Sequence, residues 1–499
     1  MSSDATGHDS ATDAVTRERG ALCIVGAGIA GLNALFAASR YLTPADRVVL
    51  VDRNPAAGGM WTQTYDYVRL HQPHRMFTAG NIEWQPLRPP AYLATKPEVL
   101  RHIATCLRQL RERVTLVEYY GYELATLEES ADSVVLRCRG REPGQAPLEV
   151  TVQRCIKAFG FRVPKNPALP LASALVTSLA PGDATFDAQL ADHADAPVYV
   201  VGGGKTGMDT AHLLIRRYPA REVNLIVGRG TIFASRDKSF PAGFRRWWGH
   251  PTTLGYFLDL CSRYDGTNAR AVFEEFKSAR AVHLPGTGAQ YMFGILSQAE
   301  NDAIAAGMND CVNDYLDDVV DTPRGPEIVF RSGTRRAVPR GTIVVNCTGY
   351  VMRQDYPYEP FLSAGGRVVS IQPTSGIHFL TTFAAYFLVH LFFLGELTRL
   401  PIYEMDYQAL LRKDKVAFPF AAMTQVLYNI IVIMEAVPRR VMTECGLDFD
   451  RWYPLHRRLF GLMKLKRHAP AYRAQFRATL DTVARTYGIR CGLLARRES

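Results

Sequence analysis

The chain reads as an α/β protein carrying two dinucleotide-binding units and a helical C-terminal part. Three observations predict this. A β-branched strand that runs into a glycine-rich turn and then a helical stretch occurs twice, at "ALCIVGAGIAGLNALFAASR" and at "APVYVVGGGKTGMDTAHLLIRRY". Each unit is followed by another apolar strand, "RVVLVDRN" in the first case and "EVNLIVGRG" in the second. After residue 400 the alternation of strand and helix gives way to long apolar and basic-aromatic runs.

The first unit spaces Gly26, Gly28 and Gly31 as G-x-G-x-x-G. Gly26 permits the tight turn, Gly28 lets the backbone approach a pyrophosphate, and Gly31 lets strand and helix pack closely. The strand that follows ends at Asp52, where a carboxylate meets a ribose 2′-hydroxyl, so FAD or NAD suits this Rossmann-type site. The second unit repeats the spacing with Gly202, Gly204 and Gly207, but its next strand leads to Arg229. A guanidinium there can clamp a 2′-phosphate, so this site suits NADP, with Lys205 and Thr206 inside the turn beside the same phosphates. Two dinucleotides in one chain make a resident carrier and an electron donor. The carrier is expected to be FAD and the donor NADPH.

The bulk numbers fit such a chain. Its 499 residues are enough for two or three domains, and its nine cysteines stand singly with no C-x-x-C and no metal-ligand cluster. A reducing, cytoplasmic setting and no metal follow as expectations. The net charge of +10 is spread along the chain without a nucleic-acid motif, so nucleic acid is not an expected partner. Residues 1–20 are polar, lack an apolar core and read as a disordered lead.

Between the two units the chain reads "NPAAGGMWTQTYDYVRLHQPHRMFTAGNIEW". Gly58, Gly59 and Trp61 resemble the GG-x-W of class B flavoprotein monooxygenases, the group of flavin-containing monooxygenases, Baeyer–Villiger enzymes and YUCCA-type enzymes. "VRLHQPH" is similar to the YUCCA-type segment, "KAFGFRVPKNP" to the family's link between domains, and "VVNCTGY" to a later strand with a Thr348–Gly349 turn. In "KAFGFRVPKNP" Phe159 stands in place of a threonine, and two departures stand out: "SALVTSLAP" lacks the fingerprint histidine of flavin-containing monooxygenases, and His71 stands where relatives carry asparagine or aspartate.

The resemblance implies a cycle in which NADPH reduces FAD, oxygen adds to form a C4a-(hydro)peroxyflavin, and one oxygen atom enters a small organic substrate. Heteroatom hydroxylation, Baeyer–Villiger insertion and oxidative decarboxylation all remain open. It places His71 where relatives carry asparagine or aspartate, as a proton donor beside flavin and oxygen. Asn81 is the second catalytic candidate. Cofactor contacts are expected from Arg53, Gly59, Trp61, Gln72, Arg236, Thr348 and Gly349, in addition to the glycine turns. Two other readings stand beside the oxygenase: an NADPH-dependent flavin reductase or dehydrogenase, and a flavin-bearing redox sensor or membrane-docked partner protein.

The expected organisation is an FAD domain over 21–165 and 335–400, an NADPH domain over 195–334 inserted within it, and a helical extension over 401–499. "VAFPFAAMTQVLYNIIVIM" is uncharged and long enough to span a bilayer, but Pro419, Thr424, Gln425 and Asn429 interrupt it, which favours a buried helix. "WYPLHRRLFGLMKLKRHAP" mixes aromatic, apolar and basic residues, and peripheral membrane contact is one use for it. Nothing in the sequence specifies an oligomeric state.

Overall fold

The structure is a computed structural model that describes residues 15–160, 166–249, 251–349, 358–372, 378–447 and 449–494. The first sheet takes the order β3-β2-β1-β6-β5-β4, with β18 on β6. Its strands are β1 (Thr16–Val25), β2 (Arg47–Asp52), β3 (Thr115–Tyr120), β4 (Tyr122–Glu129), β5 (Val134–Gly140), β6 (Leu148–Lys157) and β18 (Val368–Ser370). Strands β1, β2, β3, β6 and β18 run parallel, as alternation with helices demands, while β4 and β5 form an antiparallel flap. Helix α1 (Ile29–Ala38) follows the first glycine turn, and nine of its ten residues are buried. Helix α2 (Lys96–Arg111) opens on a capping box in which Thr95 and Glu98 satisfy each other's backbone N–H groups.

The second parallel sheet has the order β13-β9-β8-β17-β7. It comprises β7 (Thr177–Leu179), β8 (Val198–Val201), β9 (Val223–Ile226), β13 (Asp310–Val312) and β17 (Ile343–Asn346). A small sheet of β10 (Thr231–Ser235), β11 (Ala281–Val282) and β12 (Gln290–Leu296) joins it. An antiparallel meander of β14 (Leu316–Thr322), β15 (Gly325–Phe330) and β16 (Arg335–Ala337) contains the hairpin expected before the Thr-Gly turn.

Three expected boundaries move. Strand β1 begins at Thr16, inside the expected lead, because Thr16–Gly20 continue the parallel register against Leu148–Val152. The second unit begins with β7 at residue 177, before 195, and extends through β17, past 334. The apolar strand Ile343–Asn346 lies between β8 and β7, so its side chains complete the second core before the chain returns to the first sheet at β18. Residues 1–14, and residues 161–165 of the proline-rich bridge, lie outside the described residues.

The C-terminal helices are part of the first unit's core. Helix His378–Leu394 packs along α1, and Phe418, Phe420 and Leu480 share one apolar cluster with Leu32 and Phe36. Helix Ala417–Ala436 is the one described helix long and apolar enough to cross a membrane, and 83% of its most apolar window is buried within the protein. Its polar interruptions explain why it sits there. Gln425 Nε2 donates to the Tyr403 carbonyl at 2.6 Å, and Asn429 both donates to that carbonyl and accepts the Tyr403 N–H, each at 2.9 Å. Side-chain amides buried in hydrocarbon would lack such partners.

Candidate active site

Both glycine turns form as the spacing requires. Gly26 and Gly202 adopt φ of 118° and 127°, which side chains resist. A Cβ on Gly31 would lie 1.7 Å from the Gly26 carbonyl oxygen, and one on Gly207 would lie 1.9 Å from that of Gly202. Each helix is therefore locked against its own turn, with its N-terminus aimed outward.

The first turn meets the Gly58–Gly59 loop directly. The Gly58 N–H donates to the Ala27 carbonyl at 3.0 Å, and a Cβ on Gly28 would stand 3.2 Å from Gly59 Cα. Two stretches of bare backbone thus wall the space above helix α1, as close approach of a pyrophosphate demands. Asp52 closes the same space. Its carboxylate accepts the Ala27 N–H at 2.5 Å and the Asn54 N–H at 2.7 Å. Burial pushes this carboxyl above its ordinary range despite those two donors.

From here a cleft of about 500 Å³ runs to the second turn. Its walls include Gly26, Gly28, Asp52, Arg53, Gly59, Trp61, His71 and Gln72 on one side and Lys205, Thr206 and Asp209 on the other. Trp61 sits edge-on to Phe77, with ring centroids 5.7 Å apart. Gln72 is buried, and its Oε1 has no hydrogen-bond partner within the protein. A buried acceptor left open on a cleft wall is suited to a bound donor. Bare backbone at the first turn, open space beyond Gly204 and the Gln72 acceptor all fit two dinucleotides meeting in this cleft.

Other expected residues take different places. Lys205 is ion-paired with Asp209, which also accepts the Tyr65 hydroxyl at 2.8 Å, so its charge is already balanced. Arg229 is exposed after β9, outside the cleft wall. Arg236 is partly buried. It donates Nε–H to the His71 carbonyl at 2.9 Å and pairs through Nη1 with Glu300 at 2.8 Å, while Nη2 is buried without a hydrogen-bond partner. Thr348 and Gly349 follow β17 off the cleft wall, with the Thr348 carbonyl accepting from cleft-lining Asn166. Asn81 sits on an exposed turn away from the cleft, because the chain reverses at Gly80 and points residue 81 to solvent. His74 is wholly buried, with Nδ1 3.1 Å from the Tyr92 carbonyl, and packs edge-on to Trp84.

Sequence reasoning missed several cleft residues. Asp209 was detectable, since its spacing of four from Lys205 puts both on one helix face. Met292, Phe293, Phe418 and Leu447, which form an apolar wall with Met76 and Phe77, carry no local signal. Phe293 is the sole described non-glycine residue with positive φ, at 59°. Such strain persists where surrounding structure holds it, often at functional sites.

Comparison with known proteins agrees with this architecture. Residues 20–245 match the family model described as pyridine nucleotide-disulphide oxidoreductase. A search of curated proteins finds no match. Among solved structures, a polycyclic ketone monooxygenase from Thermothelomyces thermophila is 13% identical, with a TM-score of 0.50 over 97% of this chain and 91% of its own. A flavin-containing monooxygenase from Stenotrophomonas maltophilia is 15% identical, with a TM-score of 0.44 over 76% of this chain and 98% of its own. An ornithine hydroxylase from Pseudomonas aeruginosa is 11% identical, with a TM-score of 0.47 over 75% and 99%.

The fold and the family match define a two-dinucleotide flavoprotein oxidoreductase, an enzyme class that uses FAD and NADPH. Within that class the chain has the fold of the class B monooxygenases. The disulphide chemistry in the matched family's description has no counterpart here. None of the nine cysteines forms a disulfide, and none lines the cleft.

Proposed function

We propose that this protein is a monooxygenase that inserts one atom of O2 into a small, predominantly apolar molecule. The observation that carries the reading is the apolar share of the cleft wall. Met76, Phe77, Met292, Phe293, Phe418 and Leu447 line the same cleft as the two turns, and no cysteine does. A simple electron relay has no use for a dry chamber beside its cofactors, whereas an oxygenase needs one. When bound and reduced, FAD supplies the two-electron activation of oxygen.

The chain's own residues divide the remaining work. Gly26, Gly28, Gly31, Gly59 and the N-terminus of α1 receive the FAD pyrophosphate, and Asp52 accepts from its ribose. Arg53 and Trp61 border the same cofactor, and the open Gln72 acceptor takes a donor from it. Gly202, Gly204, Gly207 and Thr206 cradle NADPH, with Arg229 at the solvent end for the 2′-phosphate. Thr348, whose backbone N would lie 3.0 Å from a Cβ on Gly202, and Gly349 after it would border the far side of that turn. His71 lines the cleft between the two turns and would hold or pass one proton near the reacting atoms. Arg236 fixes the His71 backbone and presents a free N–H pair at the junction. Nine cysteines outside any disulfide support a reducing, cytoplasmic location.

Stopped-flow absorbance tests the proposal. The protein is reduced anaerobically with NADPH and then mixed with O2. A species distinct from oxidised and reduced flavin, prolonged by NADP, is the expected result. Immediate return to oxidised flavin with stoichiometric hydrogen peroxide, even in the presence of apolar ketones, amines and sulfides, would place the protein among flavin reductases instead.

A further inference from the structure

Seven of the twelve strongly exposed large hydrophobic side chains among the described residues gather in one place. Phe244, Trp247 and Trp248 come from the short helix Phe244–Trp247 and the residue after it, and are 75%, 49% and 58% exposed. The others start the long helix Leu455–Tyr487, where Leu455, Leu459 and Met463 follow at intervals of four and Phe460 stands beside them, 68% exposed. The two segments form one surface. The rings of Trp247 and Trp248 lie 6.2 and 5.4 Å from that of His456, and Arg457 Nη1 donates to the Arg246 carbonyl at 2.9 Å.

The rim of this surface is basic. Residues 455–480 contain no acidic side chain, and among the described residues no carboxylate pairs with Arg245, Lys464, Lys466 or Arg467. Contiguous exposed apolar surface marks an interaction site. Tryptophans beside unpaired cations match the headgroup layer of an anionic membrane, where indole sits at the interface and each basic residue adds about 1 kcal/mol of attraction. A second copy of the chain suits the surface poorly, since its own basic rim would meet the first. The base of the patch also borders the cleft. Trp452, whose ring Arg246 covers at 5.0 Å, shares a buried cluster with Phe240 and with cleft-lining Met76.

We infer that Phe244, Trp247 and Trp248, together with the first turns of helix Leu455–Tyr487, dock the protein peripherally on anionic lipid bilayers. The contact lies at the interface and spans nothing, because the apolar side chains are backed by the folded core. This specifies the surface through which the enzyme meets a membrane, and it does not rest on oxygen insertion.

Flotation of the full-length, FAD-loaded protein with vesicles tests it without turnover. The protein is expected to float with phosphatidylcholine–phosphatidylserine vesicles and far less with phosphatidylcholine alone. Lys464→Gln with Lys466→Gln should weaken binding about fivefold per lysine, the equivalent of about 1 kcal/mol each. Trp247→Ser with Phe460→Ser should abolish it. Both pairs should retain flavin absorbance, melting temperature and basal NADPH oxidation, since all four side chains are exposed and none lines the cleft. Absence of flotation with either vesicle, or flotation equal in wild type and variants, overturns the inference. So does self-association in sedimentation velocity that the aromatic pair abolishes without any lipid binding, which would assign the patch to a second copy.

Discussion

Arg236 donates its Nε–H to the main-chain carbonyl of His71 across 2.9 Å, joining the end of β10 in the second unit to the cleft loop of the first. Glu300 holds the other side of the same guanidinium at 2.8 Å, so its plane is set by two partners. A bidentate fork of this kind cannot be replaced by a point charge. Arg236→Lys should therefore keep its FAD but misplace the His71 loop, slowing flavin reduction by NADPH about 10- to 100-fold. Flavin content and the anaerobic reduction rate are the two readouts. An unchanged rate would show that the junction does not position the reacting groups.

The glycines separate folding from cofactor binding. Gly31→Ala places a methyl 1.7 Å from a backbone oxygen that cannot move aside, and is expected to yield protein without flavin. Gly204→Ala directs its methyl into open space. That variant should match wild type in melting temperature and flavin content, while its KM for NADPH rises severalfold because the methyl meets the phosphate. Unaltered NADPH kinetics would remove Gly204 from the second cradle.

Strain at Phe293 can be read by comparing two truncations. Phe293→Ala and Phe293→Gly both remove the ring from the cleft wall, but glycine tolerates φ of 59° where alanine pays about 1 kcal/mol. The glycine variant should have the higher melting temperature of the two. The reverse order would mean that the backbone relaxes once the ring is gone.

Acid should destabilise the protein through its buried histidines. Burial, reinforced by neighbouring cations or His74, holds His102 down to about 3 and His390 to about 4, against an ordinary 6.5. Both fold as neutral rings and protonate more readily when unfolded. Their contribution is complete above pH 6.5 and is lost as pH falls from there towards those values. Glu300 adds to the same trend. Burial alone would raise it, but Arg236 and the Ser297 N–H outweigh burial and hold it at about 2, so its contribution fades between pH 4.5 and 2. Melting temperature measured from pH 7 to pH 4 should decline, and His102→Gln should flatten the decline. A pH-independent melting temperature would contradict this assignment.

The sequence alone determined what depends on neighbours along the chain. The paired glycine turns, the carboxylate at the end of β2 and the buried helix Ala417–Ala436 were all legible, because turn geometry, helix docking and mismatched polar groups are local properties. The ion pair of Lys205 with Asp209 was not read from the sequence, since it exists only once the helix brings residues four apart onto one face. Tertiary structure decided the rest. The Arg236–His71 junction links residues 165 positions apart, the apolar part of the cleft wall draws on four separate segments, and the Trp247–Phe460 surface depends on two segments meeting over a buried core. Asn81 lost its expected role for the same reason, since a polar side chain signals hydrogen-bonding capacity while the backbone reversal at Gly80 decides what that side chain faces. Side-chain chemistry is written residue by residue, but the dryness of a cleft and the exposure of a patch belong to how distant segments pack.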